Sequence, residues 1–345
     1  MPTIVIDTTA GSEGGSEALA AAAIASLELD VQLVVVGDES AITDGLARLA
    51  HDAERMRVVH APDPLDPGLD PHEALTRAPR SAIAVGLEIT ARDHDAIFVS
   101  AGHPGAIVHQ ALAALGRLPG VSRAALAAVY PTLRHRGPAD DPFALLLDVG
   151  ATLHCAAEHL ITFAAMGAAY AGKISALERP RVGLLSNGPS PAGAPPRIRD
   201  AHERLRRGDL PFEYVGMLRG DHVTLGDADV VVTDGFTGDV LVRTLEGVAA
   251  TAEALVRRAD ERFQWRMAMK ALGGGLAKLR ALTDWENYGG APLLGVDRPV
   301  IVTQADSGRR AFVNAIRLGA KMQRLDVIDA VTAGARAVAG EEASS

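Results

Sequence analysis

Residues 228–239 read ADVVVTDGFTGD. Four consecutive apolar or β-branched residues, Val230 to Thr233, run into an acid, a glycine, a lone aromatic, a hydroxyl and a second glycine. A strand that is apolar throughout, without alternation, has both faces buried, which is the condition of a parallel sheet covered by helices. Runs of the same kind recur: TIVID (3–7), VQLVVVG (31–37), AIFVS (96–100), FALLLDVG (143–150), RVGLLSNG (181–188) and PVIVTQ (299–304). Between them, segments at 15–28, 72–91, 105–116, 154–171, 197–207 and 238–258 have the length and apolar spacing of crossover helices. Pro- and Gly-rich pieces at 61–71, 136–142 and 188–196 read as loops over the sheet. The pattern predicts an α/β fold, a three-layer α/β/α sandwich on a mostly parallel sheet. Residues 1–340 are expected to form a single domain with a basic helical excursion at 250–285, followed by a disordered tail at 341–345.

Bulk properties narrow the function. A chain of 345 residues can bury a substantial core, and 4% aromatic content with 35 glycines suits close helix-on-sheet packing. A formal charge of -9 repels nucleic acid and anionic membrane as a whole, so no nucleic-acid partner is expected. The single cysteine, Cys155, rules out an intrachain disulfide and a cysteine-based zinc site. The opening MPTIVIDTT has no basic segment before an apolar stretch, and no uncharged run reaches membrane-spanning length. A cytoplasmic setting is expected, with at most peripheral contact with a membrane.

Four strand ends share a small, polar, glycine-bearing turn that opens a helix: SAGHPGA (100–106), LDVGATLH (147–154), LSNGPSP (185–191) and TDGFTGD (233–239). In a parallel sheet such ends converge on one edge, where ligands bind. Glycine lets backbone N–H groups approach an anion, and the positive end of the following helix favours negative charge. Phosphate or a phosphorylated ligand is the expected guest, with Ser100, Asp148, Asn187 and Asp234 at equivalent places. Neither a Walker loop nor a Gly-x-Gly-x-x-Gly after the first strand is present, which disfavours the common nucleotide folds.

DGFTGD followed by LVRTLEG (241–247) and YGGAPLLGV (288–296), after SAGHPGA and LDVGA, resembles the bacterial phosphate acyltransferase (PlsX) family. The likeness runs from IVIDTTAGSEGG (4–15) through RRAFVNAI (309–316). It implies an enzyme that turns an acyl thioester on acyl carrier protein or coenzyme A, plus inorganic phosphate, into acyl phosphate for phospholipid synthesis. It further implies a homodimer, no metal or organic cofactor, and a fold related to isocitrate dehydrogenases and phosphotransacetylases. The chain departs from the family pattern at Ser12, at His103 and Pro104, at Thr152 and His154, at Asp239, at TQA (303–305) around Gln304, and in the uncharged loop SNGPSPAGAPP (186–196). A noncatalytic or altered-specificity paralogue that binds an acyl carrier or acyl-CoA is therefore the competing reading.

In the implied reaction, phosphate attacks a thioester carbonyl and a thiolate leaves, so positioning and oxyanion stabilisation carry most of the catalysis. Asp234, Thr237 and His103 are the candidate catalytic residues. Asp7, Gly11, Ser100, Gly102, Gly105, Asp148, Gly150, Asn187, Gly188, Gly235, Gly238 and Asp239 are candidates for binding phosphate or substrate. Backbone donors at Gly102, Gly105, Gly235 and Gly238 are expected to hold the anion, with Thr237 as a hydroxyl donor. Asp234 either orients amides or caps the next helix. Asp239 needs a nearby cation, for which His103 and His154 are candidates. Histidine spacings at 103/109 and 154/159 do not present a ligand pair on one helix face. Cys155 is either a thioester-forming nucleophile or a small buried hydrophobe. Residues 255–282 carry seven Lys/Arg against two acids, interleaved with Phe263, Trp265, Met267 and Met269. They suit docking on an acidic carrier or an anionic bilayer, or contact with a dimer mate.

Overall fold

A computed structural model describes residues 1–11, 15–66, 68–260 and 285–342. Ser12, positions 261–282 of the basic segment and residues 343–345 lie outside the described residues. Among the described residues, eleven strands form one sheet. They are β1 (Thr3–Asp7), β2 (Gln32–Gly37), β3 (Met56–His60), β4 (Ala96–Ser100), β5 (Ala125–Arg136), β6 (Asp141–Leu147), β7 (Arg181–Leu185), β8 (Glu213–Leu218), β9 (Val230–Val232), β10 (Ala291–Leu294) and β11 (Val300–Val302). Their order across the sheet is β3-β2-β1-β4-β11-β10-β5-β6-β9-β7-β8.

The uniformly apolar strands feed two cores because successive side chains point to opposite faces. Ile4, Ile6, Ile97, Val99, Leu145, Leu147, Val230 and Val232 belong to one core; Val5, Phe98, Leu146 and Val231 belong to the other. The first core is covered by α1 (Ser16–Glu28), α2 (Glu39–Leu46), α6 (Ala157–Ile174), α7 (Pro196–Arg207), α10 (Arg309–Arg324) and α11 (Val327–Glu342). The second is covered by α3 (Pro71–Arg77), α4 (Ala82–Arg92), α5 (Pro104–Ala114), α8 (Gly220–Leu225) and α9 (Gly235–Asp260). The three-layer sandwich follows directly.

The sheet is mostly parallel in a specific sense. β3, β2, β1, β4 and β11 run one way. β10 is antiparallel to β11, β5 is antiparallel to β10, and β6 is antiparallel to β5. β9, β7 and β8 then follow β6. The expectation that all four glycine-bearing strand ends share one edge is therefore corrected: the ends of β1 and β4 point one way, those of β6, β7 and β9 the other. Apolar periodicity reports burial on both faces and carries no information about direction. The reversal is made by residues 136–142, which form a tight β5–β6 turn with Gly137 at φ 62.

The two blocks are nevertheless offset so that their ends overlap. Ser100 registers with Val302 and Val302 with Ala291; Leu293 registers with Leu126, and Ala127 with Leu147. The row through Asp7 and Ser100 thus continues near the carboxyl end of β6, and the two families of turns approach each other at mid-sheet.

Other boundaries moved for local reasons. The expected helix at 72–91 is two helices, α3 and α4, because Pro79 interrupts the first and Ser81 caps the second, its Oγ accepting from Ala84 N–H. The last helix continues to Glu342, so residues 341 and 342 are helical.

Candidate active site

The first turn is organised by Asp7, which is fully buried at the end of β1. Its carboxylate accepts from Ser100 Oγ at 2.7 Å, from Thr9 Oγ1 at 2.7 Å and from Thr9 N–H at 2.8 Å. Burial pushes its carboxyl above the ordinary range, against these three donors. Ser100 Oγ also accepts from Gly102 N–H at 2.9 Å, and the Ser100 carbonyl accepts from Thr303 N–H at 2.9 Å. The SAGH turn is therefore fixed to the ends of both β1 and β11. His103 is exposed and caps α5, with Nδ1 accepting from Gly105 N–H at 3.1 Å. An accepting Nδ1 leaves the ring proton on Nε2. His154 is exposed and does not line the cavity described below.

The second turn is built around Asp148, also fully buried. Oδ1 accepts from the N–H groups of Leu126, Gly150 and Ala151 at 2.8–3.0 Å, and Oδ2 accepts from Thr152 N–H. Burial pushes this carboxyl up to about 6, although four backbone donors favour its ionised form. The start of α9 lies directly on this turn. Gly235 N–H donates to Thr152 O at 2.9 Å, and a Cβ at Gly238 would stand 1.9 Å from Asp148 O. These two glycines permit helix-to-turn contact. Cys155 is buried beneath, its Sγ against Thr152 O, and burial together with Asp148 pushes the thiol up to about 12. A thiol held protonated in this way is a poor nucleophile.

Asp234 precedes α9 and acts as its cap: Oδ1 accepts from Thr237 N–H at 2.8 Å, while Oδ2 accepts from Arg197 Nη2 at 2.7 Å. Burial raises its carboxyl, but the Thr237 and Arg197 hydrogen bonds outweigh it and hold the group below the ordinary range. Arg197 is the cation that the uncharged 186–196 loop lacks, supplied in the first turn of α7 immediately after it. Thr237 is exposed, as is Asn187, whose Nδ2 donates to Gly193 O at 2.9 Å; Gly188 has open space around it. In this structure the four glycine N–H groups expected to hold an anion all have partners within the chain: Ser100 Oγ, His103 Nδ1, Thr152 O and Asp234 O.

A cavity of about 560 Å3 lies between these turns, within the range typical of small-molecule sites. Asp7, Gly11, Gly102, His103 and Asp239 line it; Gly11 sits at φ 106, a backbone state that favours glycine. Ser100 and Asp148 support the wall from behind. Gly105, Gly150, Asn187, Gly188, Asp234, Gly235, Thr237 and Gly238 do not line it. Leu65, Ile83, Leu126, Val149 and Val242 make its walls apolar. One side carries a polar rim in which Asp239 and Gln304, both singled out in the sequence, are joined by Arg243 and Glu246, which sequence reading missed. Arg243 lies 3.6 Å from Asp239 and 3.2 Å from Glu246, and Gln304 Nε2 donates to Glu246 at 3.0 Å. Among the described residues, Arg243 is the only Lys or Arg lining the cavity. Its signal was the i,i+4 spacing from Asp239 along α9.

A model of the family described as "Fatty acid synthesis protein" matches residues 2–330. A phosphate acyltransferase of Myxococcus xanthus is 38% identical over 288 residues, covering 83% of this chain and 79% of the relative. The chain belongs to the phosphate acyltransferase family. A second member, from Thermoanaerobacter pseudethanolicus, is 33% identical over 301 residues, 87% of each chain. The fold of the family member described here is shared with a phosphotransacetylase from Streptococcus pyogenes, at a TM-score of 0.60 and 17% identity over 94% of each chain. It is shared also with a branched-chain phosphotransacylase from Enterococcus faecalis, at a TM-score of 0.54 and 16% identity over 93% of this chain and 99% of the other. Among the described residues, no helix is long and apolar enough to cross a membrane, and no group of three or more His, Cys, Asp or Glu is placed to hold a metal ion.

Proposed function

We propose that this family member transfers an acyl group from a carrier-bound thioester, on acyl carrier protein or coenzyme A, to inorganic phosphate. The observation that carries the reading is the cavity itself: largely apolar walls suited to an acyl chain, with His103, Asp239, Arg243, Glu246 and Gln304 among the polar groups of its lining. A phosphate oxygen forms a bond to the thioester carbonyl carbon, the carbon–sulfur bond breaks, and the thiolate takes up a proton. Arg243 is the guanidinium that would hold phosphate and offset charge on the developing oxyanion. His103 would present its Nε2–H to that oxyanion or to the leaving thiolate. Asp7 and Ser100 position the turn that carries His103, whereas Asp148 and Asp234 fix the start of the helix that carries Asp239 and Arg243. The outward side chains of Phe236, Val240 and Val248 on α9 support pairing with a second copy of the chain. Peripheral membrane or carrier contact through 255–282 is part of the same proposal.

A second reading has its own support. Asp239 and Glu246 flank the one guanidinium of the described lining, and the nominated glycine donors are engaged within the chain. Both features weaken the grip on free phosphate and favour a paralogue that binds an acyl carrier or acyl-CoA without turning it over. Purified protein incubated with palmitoyl thioesters and phosphate decides between them, with thiol release followed and acyl phosphate trapped by hydroxylamine. Phosphate-dependent thiol release supports transfer; carrier binding without release supports the paralogue.

A further inference from the structure

The sheet has a weak seam next to the cavity. β10 and β5 share two registered pairs, Leu293 with Leu126 and Leu294 with Ala125. Beyond them β5 continues to Arg136 beside β6, while Ala291 and Pro292 of β10 stay with β11. Past these two pairs no further registered pair joins the two strands. Val129, Tyr288 and Gly290 border both the first cavity and a second one of about 210 Å3. The second cavity lies on the opposite face: its residues Leu145, Tyr170 and Ala171 belong to the core under α6, whereas Leu126, Val149 and Val302 of the first belong to the other core. The Tyr288 ring leans on Phe143 at a centroid distance of 4.4 Å, tilted by 59°, and closes the seam.

The second cavity is apolar along Phe143, Leu145, Ala171 and Ile174, and its charged groups are already engaged. Asp141 accepts from Ser175 Oγ at 2.6 Å and from Phe143 N–H at 2.9 Å; Lys321 Nζ donates to Ile174 O at 3.0 Å; Asp229 is paired with Arg136 and Arg181. Tyr170 is the exception. It is 3% exposed, it lines this cavity, and its hydroxyl has no hydrogen-bond partner among the described residues. The hydroxyl opens onto the cavity, so an oxygen carried by a ligand there would serve as its acceptor.

We propose that a long acyl chain seated in the first cavity passes between β5 and β10 at Tyr288, and that the second cavity receives its far end, with Tyr170 donating to an oxygen carried there. This rests on the acyl-thioester reading above and extends it to chain selection: the enzyme favours long chains bearing a terminal hydroxyl. Opening the seam requires rotation of Tyr288 away from Phe143 and breaks no registered strand pair. Burial pushes the Tyr170 phenol up, so it stays a donor across the working pH range.

The test compares octanoyl, palmitoyl and ω-hydroxypalmitoyl thioesters of the same carrier. The wild-type chain should prefer ω-hydroxypalmitoyl over palmitoyl by roughly tenfold in kcat/KM, as expected for a cavity whose wall offers one hydrogen-bond donor to the chain end. Tyr170→Phe should abolish that preference and leave the octanoyl rate unchanged. Ala171→Phe fills the second cavity and should lower both long-chain rates roughly tenfold while sparing octanoyl; Ile174→Phe, on the half-buried rim, serves should Ala171→Phe not fold. Long-to-short ratios unchanged in the folded cavity-filling variant overturn the proposal, as does equal use of the two palmitoyl chains by wild type. Absence of turnover with every thioester defeats the transferase reading alone, and calorimetric binding of the same three thioesters then reads the same ratios.

Discussion

Two buried aspartates organise the two turns that face each other across the cavity, and they do it with different partners. Asp7 is held by hydroxyls, Ser100 and Thr9, with one backbone N–H. Asp148 is held by four backbone N–H groups and no side chain. A carboxylate gripped by main chain makes the shape of a turn independent of which side chains the turn carries. That explains how LDVGATLH can carry Thr152 and His154 and still dock α9. A carboxylate gripped by hydroxyls ties shape to identity, and Ser100 stands where the turn meets the cavity.

The contrast can be broken by substitution, beginning with the largest expected effect. Asp148→Ala removes the acceptor of four N–H groups, one buried and three part-buried, and should cost about 4 kcal/mol, read as a fall in the urea midpoint. A loss no greater than that of Asp7→Asn would remove the distinction between the two aspartates. Gly238→Ala sets a Cβ against the Asp148 carbonyl, backbone against backbone, and should cost about 2–3 kcal/mol with a matching fall in Tm. Arg243→Ala should lower turnover roughly tenfold and shift stability by less than about 0.5 kcal/mol, because the Arg243 side chain is itself more than half exposed. Asp7→Asn keeps the acceptor facing Thr9 and disturbs the one facing Ser100, so a stability loss of about 1 kcal/mol is expected, with a larger fractional loss of activity.

The same comparison has a signature in pH. The folded Asp148 carboxyl sits near 6, above its ordinary 3.8, so the native state retains a proton that the unfolded chain has released. Stability from this group is greatest below about 4 and declines as pH rises through about 6. Asp234 has the opposite sign. Held below 3.8 by Thr237 and Arg197 against the effect of burial, it stabilises the fold above that value and loses its contribution as pH falls further. Asp148→Asn should flatten the decline between about 4 and 6, and Arg197→Ala should move acid unfolding to higher pH. Urea midpoints collected from about pH 2 to about pH 7 check both.

The apolar runs made the layers of the fold legible, since continuous hydrophobicity in Val230–Val232 or Ile4–Ile6 has no other soluble solution than two covered faces. Strand direction was not legible, because the same run serves a strand pointing either way. β5 escaped notice because Pro131 and the polar stretch after it break the apolar pattern where the strand leaves the core. In the candidate site, the glycine turns were visible and their partners were not. Gly235 and Gly238 look like an anion cradle in sequence, and only the approach of the 148–152 turn reveals them as contact points. Arg197 and Arg243 gain their meaning from residues 37 and 61 positions away, Asp234 and Gln304.

The position of β10 and β11 bears on how the molecule is made. These strands come late in the chain yet insert between β4 and β5, at the centre of the sheet. A nascent chain that ends before Ala291 has two half-sheets with bare inner borders, each an apolar strand offering unpaired amides and carbonyls. Until the final segment emerges, those borders are open to pairing with other chains, so yield during expression depends on the delivery of a few late residues.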